Sequence, residues 1–248
     1  MRRWRLLVEY DGGPFVGWQR QSSGLSIQAL LEAAVARLTG ETVTVVGGGR
    51  TDAGVHALGQ VAHLDLEKDL SPERLMGGLN AHLRPYPVAV LEVRAAAPDF
   101  HARFSALRKS YIYRILDRRA PPTLERGRVW HVPRRLDVER MHEAAQALVG
   151  RHDFTSFRAS ECQAKSPLKT LDLLHVRRAG AIVEVRAVAR SFLHHQVRNI
   201  VGTLVQVGLG KRPLDWPAEV LRARDRRAAG PTAPAHGLYL ERIDYPLG

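Results

Sequence analysis

The chain has 248 residues, enough to bury a core as one large domain or two smaller ones. Its 45% hydrophobic and 25% charged content excludes a disordered polymer, and no segment approaches the ~20 apolar residues of a membrane span. The net charge of +12 points to a polyanionic partner, most simply nucleic acid, with a solvated, arginine-rich surface as the alternative.

In chain order, residues 4–10 predict a strand. The N-terminus starts like a signal peptide, but Glu9 and Asp11 interrupt its apolar run. Asp11, Gly12, Gly13 and Pro14 form a turn cluster, and residues 15–21 a loop with aromatics beside Arg20 and Gln21. A helix follows over 26–38, capped by Ser26 and ended by Gly40, with Ile27, Leu30, Leu31, Ala34 and Leu38 at helical spacing. The β-branched run 42–46 predicts a buried strand, and residues 59–66 alternate like a half-buried one. Ser71 and Pro72 open a second helix to about Asn80, and 88–93 is a strand.

The pattern then repeats. Residues 109–116 predict a strand, Pro121 and Pro122 a loop, and Asp137 caps a helix to Leu148. Strands over 172–176 and 181–188 meet at Ala179 and Gly180, and a helix covers 194–207. Another helix follows Pro217, and 237–243 is the last strand. Two β-α-β-β-α-β orders predict an α+β protein of two ferredoxin-like halves, 1–102 and 103–248. The expected architecture is one continuous, mostly antiparallel sheet with helices on one side and a central cleft.

The loop between the strand ending at Val46 and the strand starting at Gly59 carries Gly47, Gly48, Gly49, Arg50, Thr51, Asp52, Ala53, Gly54, Val55 and His56. Its glycines allow a sharp turn and clearance for a close approach. In an extended segment Arg50 and Asp52 point the same way. A guanidinium favours the charged form of a neighbouring carboxylate, which suits a nucleophile rather than a general acid. A turn aspartate bonding its own backbone remains the plainer reading. The segment lacks the Gly-Lys-Ser/Thr ending of a phosphate-cradling loop.

Tyr111 and Tyr113 share one strand face among Arg108, Lys109 and Arg114. One ring is expected to pack in the sheet, and the other stays open for base stacking. His195, Arg198 and Asn199 fall on one flank of the predicted helix, either a phosphate-binding stripe or a solvated face. Adjacent helical residues diverge by roughly 100°, so His194 and His195 make a poor metal pair and no metal site is expected. Cys162, the only cysteine, excludes an intrachain disulfide and suits a reducing cytosol. Arg118, Arg119, Arg126, Arg128, Arg134 and Arg135 add scattered positive charge.

Several stretches together resemble the tRNA pseudouridine synthases of the TruA type. They are Tyr10-Asp11-Gly12 with residues 15–21, Gly49-Arg50-Thr51-Asp52-Ala53-Gly54-Val55-His56 with Gly59-Gln60-Val61, and Phe100-His101-Ala102-Arg103-Phe104-Ser105-Ala106. Tyr111-Ile112-Tyr113-Arg114, residues 153–159, residues 191–202 and residues 233–239 complete the set, in order across nearly the whole chain. The resemblance implies isomerisation of uridine to pseudouridine at positions 38, 39 and 40 of the tRNA anticodon arm. It maps the nucleophile onto Asp52, its arginine partner onto Arg50 and the uracil-lining tyrosine onto Tyr111. It also implies two related halves around a cleft, a cytoplasmic homodimer clasping tRNA, and no cofactor. Arg198 joins Arg50 and Tyr111 as a substrate-binding candidate, and Arg20, Arg108, Lys109 and His195 are RNA-binding candidates. A non-catalytic RNA-binding protein of ferredoxin-like fold explains the charge, but not why a glycine loop presents an acid. A glycosidase-like hydrolase generally needs a second carboxylate.

Overall fold

The computed structural model describes residues 1–246, which form two compact units. The first takes Met1–Lys109 with the segment from Tyr239, and the second Ser110–Leu238.

In the first unit β1 (Arg2–Tyr10) lies between β3 (His56–Leu66) and β4 (Val88–Ala95), antiparallel to both. Strand alternation buries Trp4, Leu6, Val8 and Tyr10 on one face of β1. Helix α1 (Ile27–Thr39) starts where Ser26 Oγ accepts the Ala29 N–H (3.2 Å) and stops at the left-handed Gly40. It buries Ile27, Leu30, Leu31 and Val35, each worth about 1.5–3 kcal/mol of transfer free energy. Helix α2 (Pro72–Leu83) is capped by Ser71 and buries Leu75, Leu79 and Leu83, one stripe at four-residue spacing.

The strand expected over 42–46 shrinks to β2 (Val46–Gly47), paired with β3. Helix α1 is the reason. Glu32 Oε1 accepts the Val45 N–H (3.0 Å) and Gln28 Nε2 donates to the Val45 carbonyl (3.1 Å). With both backbone groups satisfied by side chains, Val45 needs no sheet partner.

The second unit starts from β5 (Arg108–Leu116), whose first two residues belong to the first. It continues with β6 (Trp130–His131), α3 (Val138–Gln146), β7 (Gly150–Asp153), β8 (Leu168–Ala179), β9 (Ile182–Ala189), α4 (Gln196–Gly208) and α5 (Trp216–Ala223). Its strand order is β5-β9-β8-β7, with β6 alongside β5. Strands β8 and β9 form an antiparallel hairpin closed between Ala179 and Ile182. Strands β6 and β7, at two and four residues, are too short to leave a periodic signal.

Helix α4 begins at Gln196, two residues later than expected. His195 stands outside it with φ 60°, a left-handed backbone that cannot continue a right-handed helix. The flank read as polar is not solvated either, since Asn199 is 0% exposed. Its Nδ2 donates to the Phe157 carbonyl (2.8 Å), and its Oδ1 accepts from Thr232 Oγ1 (2.7 Å) and Arg226 Nη2 (3.1 Å). Asn199 is thus spent on tethering two loops, not on a phosphate stripe.

The chain then returns to the first unit as β10 (Leu238–Asp244), parallel to β3 with Tyr239 opposite His56. Among the described residues no helix is long and apolar enough to cross a membrane.

Candidate active site

The loop between β2 and β3 is fixed almost residue by residue. The Gly48 N–H donates to the Val61 carbonyl (2.7 Å) and the Gly49 N–H to Gln60 Oε1 (3.1 Å). Gln60 Nε2 donates back to the Gly49 carbonyl (2.6 Å). The Tyr10 hydroxyl and Thr51 Oγ1 share a hydrogen bond (2.7 Å), and the Thr51 carbonyl accepts the Trp18 N–H (3.0 Å). Burial pushes the Tyr10 phenol up to about 12, so it stays protonated at neutral pH. Beyond Asp52 a turn closes with the Val55 N–H on the Asp52 carbonyl (3.1 Å), Gly54 taking the left-handed position at φ 77°. His56 Nδ1 then accepts the Gly12 N–H (3.0 Å), and its ring stacks on Tyr239 at 4.7 Å.

Thr51, Val55 and His56 are buried, while Asp52 between them is half-buried and Arg50 exposed. The loop therefore presents one carboxylate from a backbone held on both sides. Such preorganisation is what a reacting group requires.

The clearance expected at Gly47 and Gly48 is occupied by the protein itself. A β-carbon on Gly47 would stand 2.4 Å from the Trp18 indole. One on Gly48 would stand 2.7 Å from Tyr245 Oη and 2.9 Å from the Ala102 carbonyl oxygen. These glycines pack the loop onto its own unit.

Lys109, expected to face RNA, donates its ammonium to the Gly48 carbonyl (2.6 Å). Burial pulls its pKa down to about 8, with the Arg103 charge adding to the shift. Arg20 is paired with Glu32 of α1, and Arg108 is exposed. The first unit thus holds Arg20, Arg50, Asp52, Arg108 and Lys109, and the second holds Tyr111, His195 and Arg198.

Of the two tyrosines on β5, Tyr113 is the packing ring. It is fully buried, donates to the Pro234 carbonyl (2.7 Å), and burial drives its pKa well upward. Tyr111 keeps 8% exposure and meets Phe192 edge-on at 5.2 Å. Arg198 Nε donates to the Ala233 carbonyl (2.8 Å). The rings of His194 and His195 lie 4.0 Å apart. The divergence expected of helical neighbours does not apply, because neither residue is in the helix.

Behind the loop, His63 is buried and its Nδ1 accepts the Ala102 N–H (3.1 Å). Burial, followed by the charges of Arg3 and His101, pulls its pKa down to about 4. Unfolded histidine titrates near 6.5, so between about 4 and 6.5 the unfolded chain binds the extra proton. Stability from this group is complete above about pH 6.5 and is lost as pH falls through 4. His63→Asn keeps a side-chain acceptor without the titration. Its melting temperature is expected to fall less steeply than wild type between pH 6.5 and 4.5. Parallel melting curves across that range would reject the assignment.

Sequence reasoning missed Gln60 and Tyr10 as loop supports. The alternation over 59–66 places Gln60 on the face of Ala62, Leu64 and Leu66, but does not show which groups its amide bonds. His56 and Gly12 were visible as motif residues, without any sign that they bond each other.

The sequence matches the family described as tRNA pseudouridine synthase over residues 6–105 and 144–246. It is 62% identical over 245 residues to a protein of Rhodospirillum centenum named tRNA pseudouridine synthase A, covering 99% of this chain and all of that one. Proteins of the same name from Maricaulis maris and Rhizobium leguminosarum are 57% and 58% identical, each over 99% of this chain and over 99% and 92% of their own lengths.

Proposed function

The chain belongs to the tRNA pseudouridine synthase family, and from that membership we propose that it isomerises uridine at positions 38, 39 and 40 of the tRNA anticodon stem-loop with Asp52 as nucleophile. The observation that carries the assignment of Asp52 is the loop itself: one half-buried carboxylate on a backbone bonded at Gly49, Thr51 and Val55.

In the reaction the bond from uracil N1 to ribose C1′ breaks, the base turns, and C5 bonds to C1′. The proton leaving C5 is balanced by one gained at N1. Nothing is oxidised and no group is carried off, so the chemistry calls for no redox or carrier cofactor. A target nucleotide in a stem must first leave the stack, at a cost of a few kcal/mol. Exposed Arg50 is suited to fill the gap or hold the flipped phosphate. Asp52 then opens the reaction at the sugar or the ring, and Tyr111 packs on the uracil.

In this reading the half 1–102 carries the aspartate loop, and the half 103–248 contributes Tyr111 and Arg198 to substrate binding. Arg20, Arg108, Lys109 and His195 lend charge or support to RNA binding. The enzyme works as a homodimer in the cytoplasm, without a metal.

Incubation with an unmodified tRNA transcript tests the reading. The expected result is an unchanged RNA mass with pseudouridine mapped to 38, 39 or 40. Free uracil would show a hydrolase, and binding without modification would show a non-catalytic RNA-binding protein. Modification confined to other positions would overturn the site assignment.

A further inference from the structure

The stretch Phe100–Ala106 supplies no residue to the chemistry above, yet its turn is fixed by hydrogen bonds at nearly every position. His101 Nδ1 accepts the N–H groups of Arg103 (3.2 Å) and Phe104 (3.3 Å). The His101 N–H donates to Ser105 Oγ (3.0 Å), and the Ser105 N–H returns to the His101 carbonyl (2.9 Å). The Ala102 carbonyl accepts from Tyr245 Oη (2.6 Å). What this rigid turn presents is the Phe104 ring, 73% exposed. The His101 ring backs it at 4.3 Å and 33°, and the Arg103 guanidinium lies 5.7 Å from its centroid.

Folding gains nothing from leaving an aromatic ring in water, and a disordered turn would not need this many bonds. We propose that Phe104, with the Arg103 guanidinium beside it, is a stacking platform for an unstacked base of the tRNA close to the nucleotide being isomerised. The proposal rests on the tRNA reading and adds a binding residue to it.

Location and charge support this occupant. The Ala102 carbonyl packs against Gly48, four residues before Asp52. Two residues of the turn and four of the loop make a path of roughly 25 Å at full extension. That is no more than about seven nucleotides of stacked RNA. Arg103 and Arg108 are exposed on either side of Phe104 in sequence, on a chain of net charge +12. A flat aromatic ring beside guanidinium groups suits a base and its phosphate. An arginine-flanked ring suits an apolar protein partner less well.

The test uses the full chain and an unmodified tRNA transcript. Phe104→Ala is expected to weaken tRNA binding about 5- to 150-fold, the loss of one stacked base, with its melting temperature unchanged. Phe104→Trp is expected to bind within about threefold of wild type and to show extra quenching of tryptophan emission at saturating tRNA. Unchanged affinity in Phe104→Ala, or no extra quenching in a Phe104→Trp protein that binds tRNA, would overturn the proposal. So would a change of oligomeric state in Phe104→Ala with tRNA affinity intact, since the ring would then serve a second copy of the chain. If the wild type binds tRNA without forming pseudouridine, the functional reading fails, and the quenching still decides the platform.

Discussion

Asp52→Asn is expected to lower pseudouridine formation by about four orders of magnitude or more while tRNA still binds. The substitution is nearly isosteric and leaves the loop bonds described above in place. Those bonds run through the Gly49 and Thr51 groups and through the Asp52 carbonyl, which accepts the Val55 N–H (3.1 Å). An amide removes the anionic oxygen that a nucleophile needs. Single-turnover assays at saturating enzyme, with a parallel binding titration, separate chemistry from affinity. Turnover within tenfold of wild type would remove Asp52 from the mechanism. Loss of binding and rate together would make it a structural residue.

Gly12→Ala is expected to lower the single-turnover rate about 100-fold from outside the loop, because a shift near 1 Å at a reacting group costs about that much. A β-carbon at position 12 would stand 2.0 Å from the Val55 carbonyl oxygen and 2.5 Å from its carbon. Both are backbone atoms and cannot swing aside. Either the end of β1 or the turn after Asp52 must move, and the Gly12 N–H then leaves His56 Nδ1. Overpacking of this kind also costs about 1–3 kcal/mol, and each kcal/mol lowers the melting temperature of a chain this size by about 2–4 °C. Gly13→Ala is the control. Its β-carbon would meet only a side-chain atom, Asp11 Oδ1 at 3.2 Å, and no backbone. A wild-type rate in Gly12→Ala would show that the turn tolerates displacement.

What the sequence made legible follows from what each residue does locally. Capped helices were readable because Ser26, Ser71 and Asp137 bond within three residues of themselves. The strand at 42–46 was misread because its fate depends on Glu32 and Gln28, which reach it from a helix already complete. The start of α4 was misread because His195 adopts a conformation that periodicity does not report. Asp52 and Arg50 stood out as chemistry on a glycine loop. The supports did not, since Gln60, Tyr10 and Lys109 act across separations of 11, 41 and 61 residues. Lys109 is instructive. A lysine in a basic run is ordinarily read as an RNA contact, and only its bond to the Gly48 carbonyl shows that it braces the loop.

The return of β10 to the first unit has a consequence for biosynthesis. Tyr239 opposite His56, and Tyr245 on the Ala102 carbonyl, emerge from the ribosome only after the entire second unit. The aspartate loop is made early, but part of its support arrives last. A nascent chain therefore has time to complete Ser110–Leu238 as a body while the aspartate loop still lacks a wall. Synthesis of Asp52 alone does not complete its surroundings, which wait for β10 to follow the whole of Ser110–Leu238.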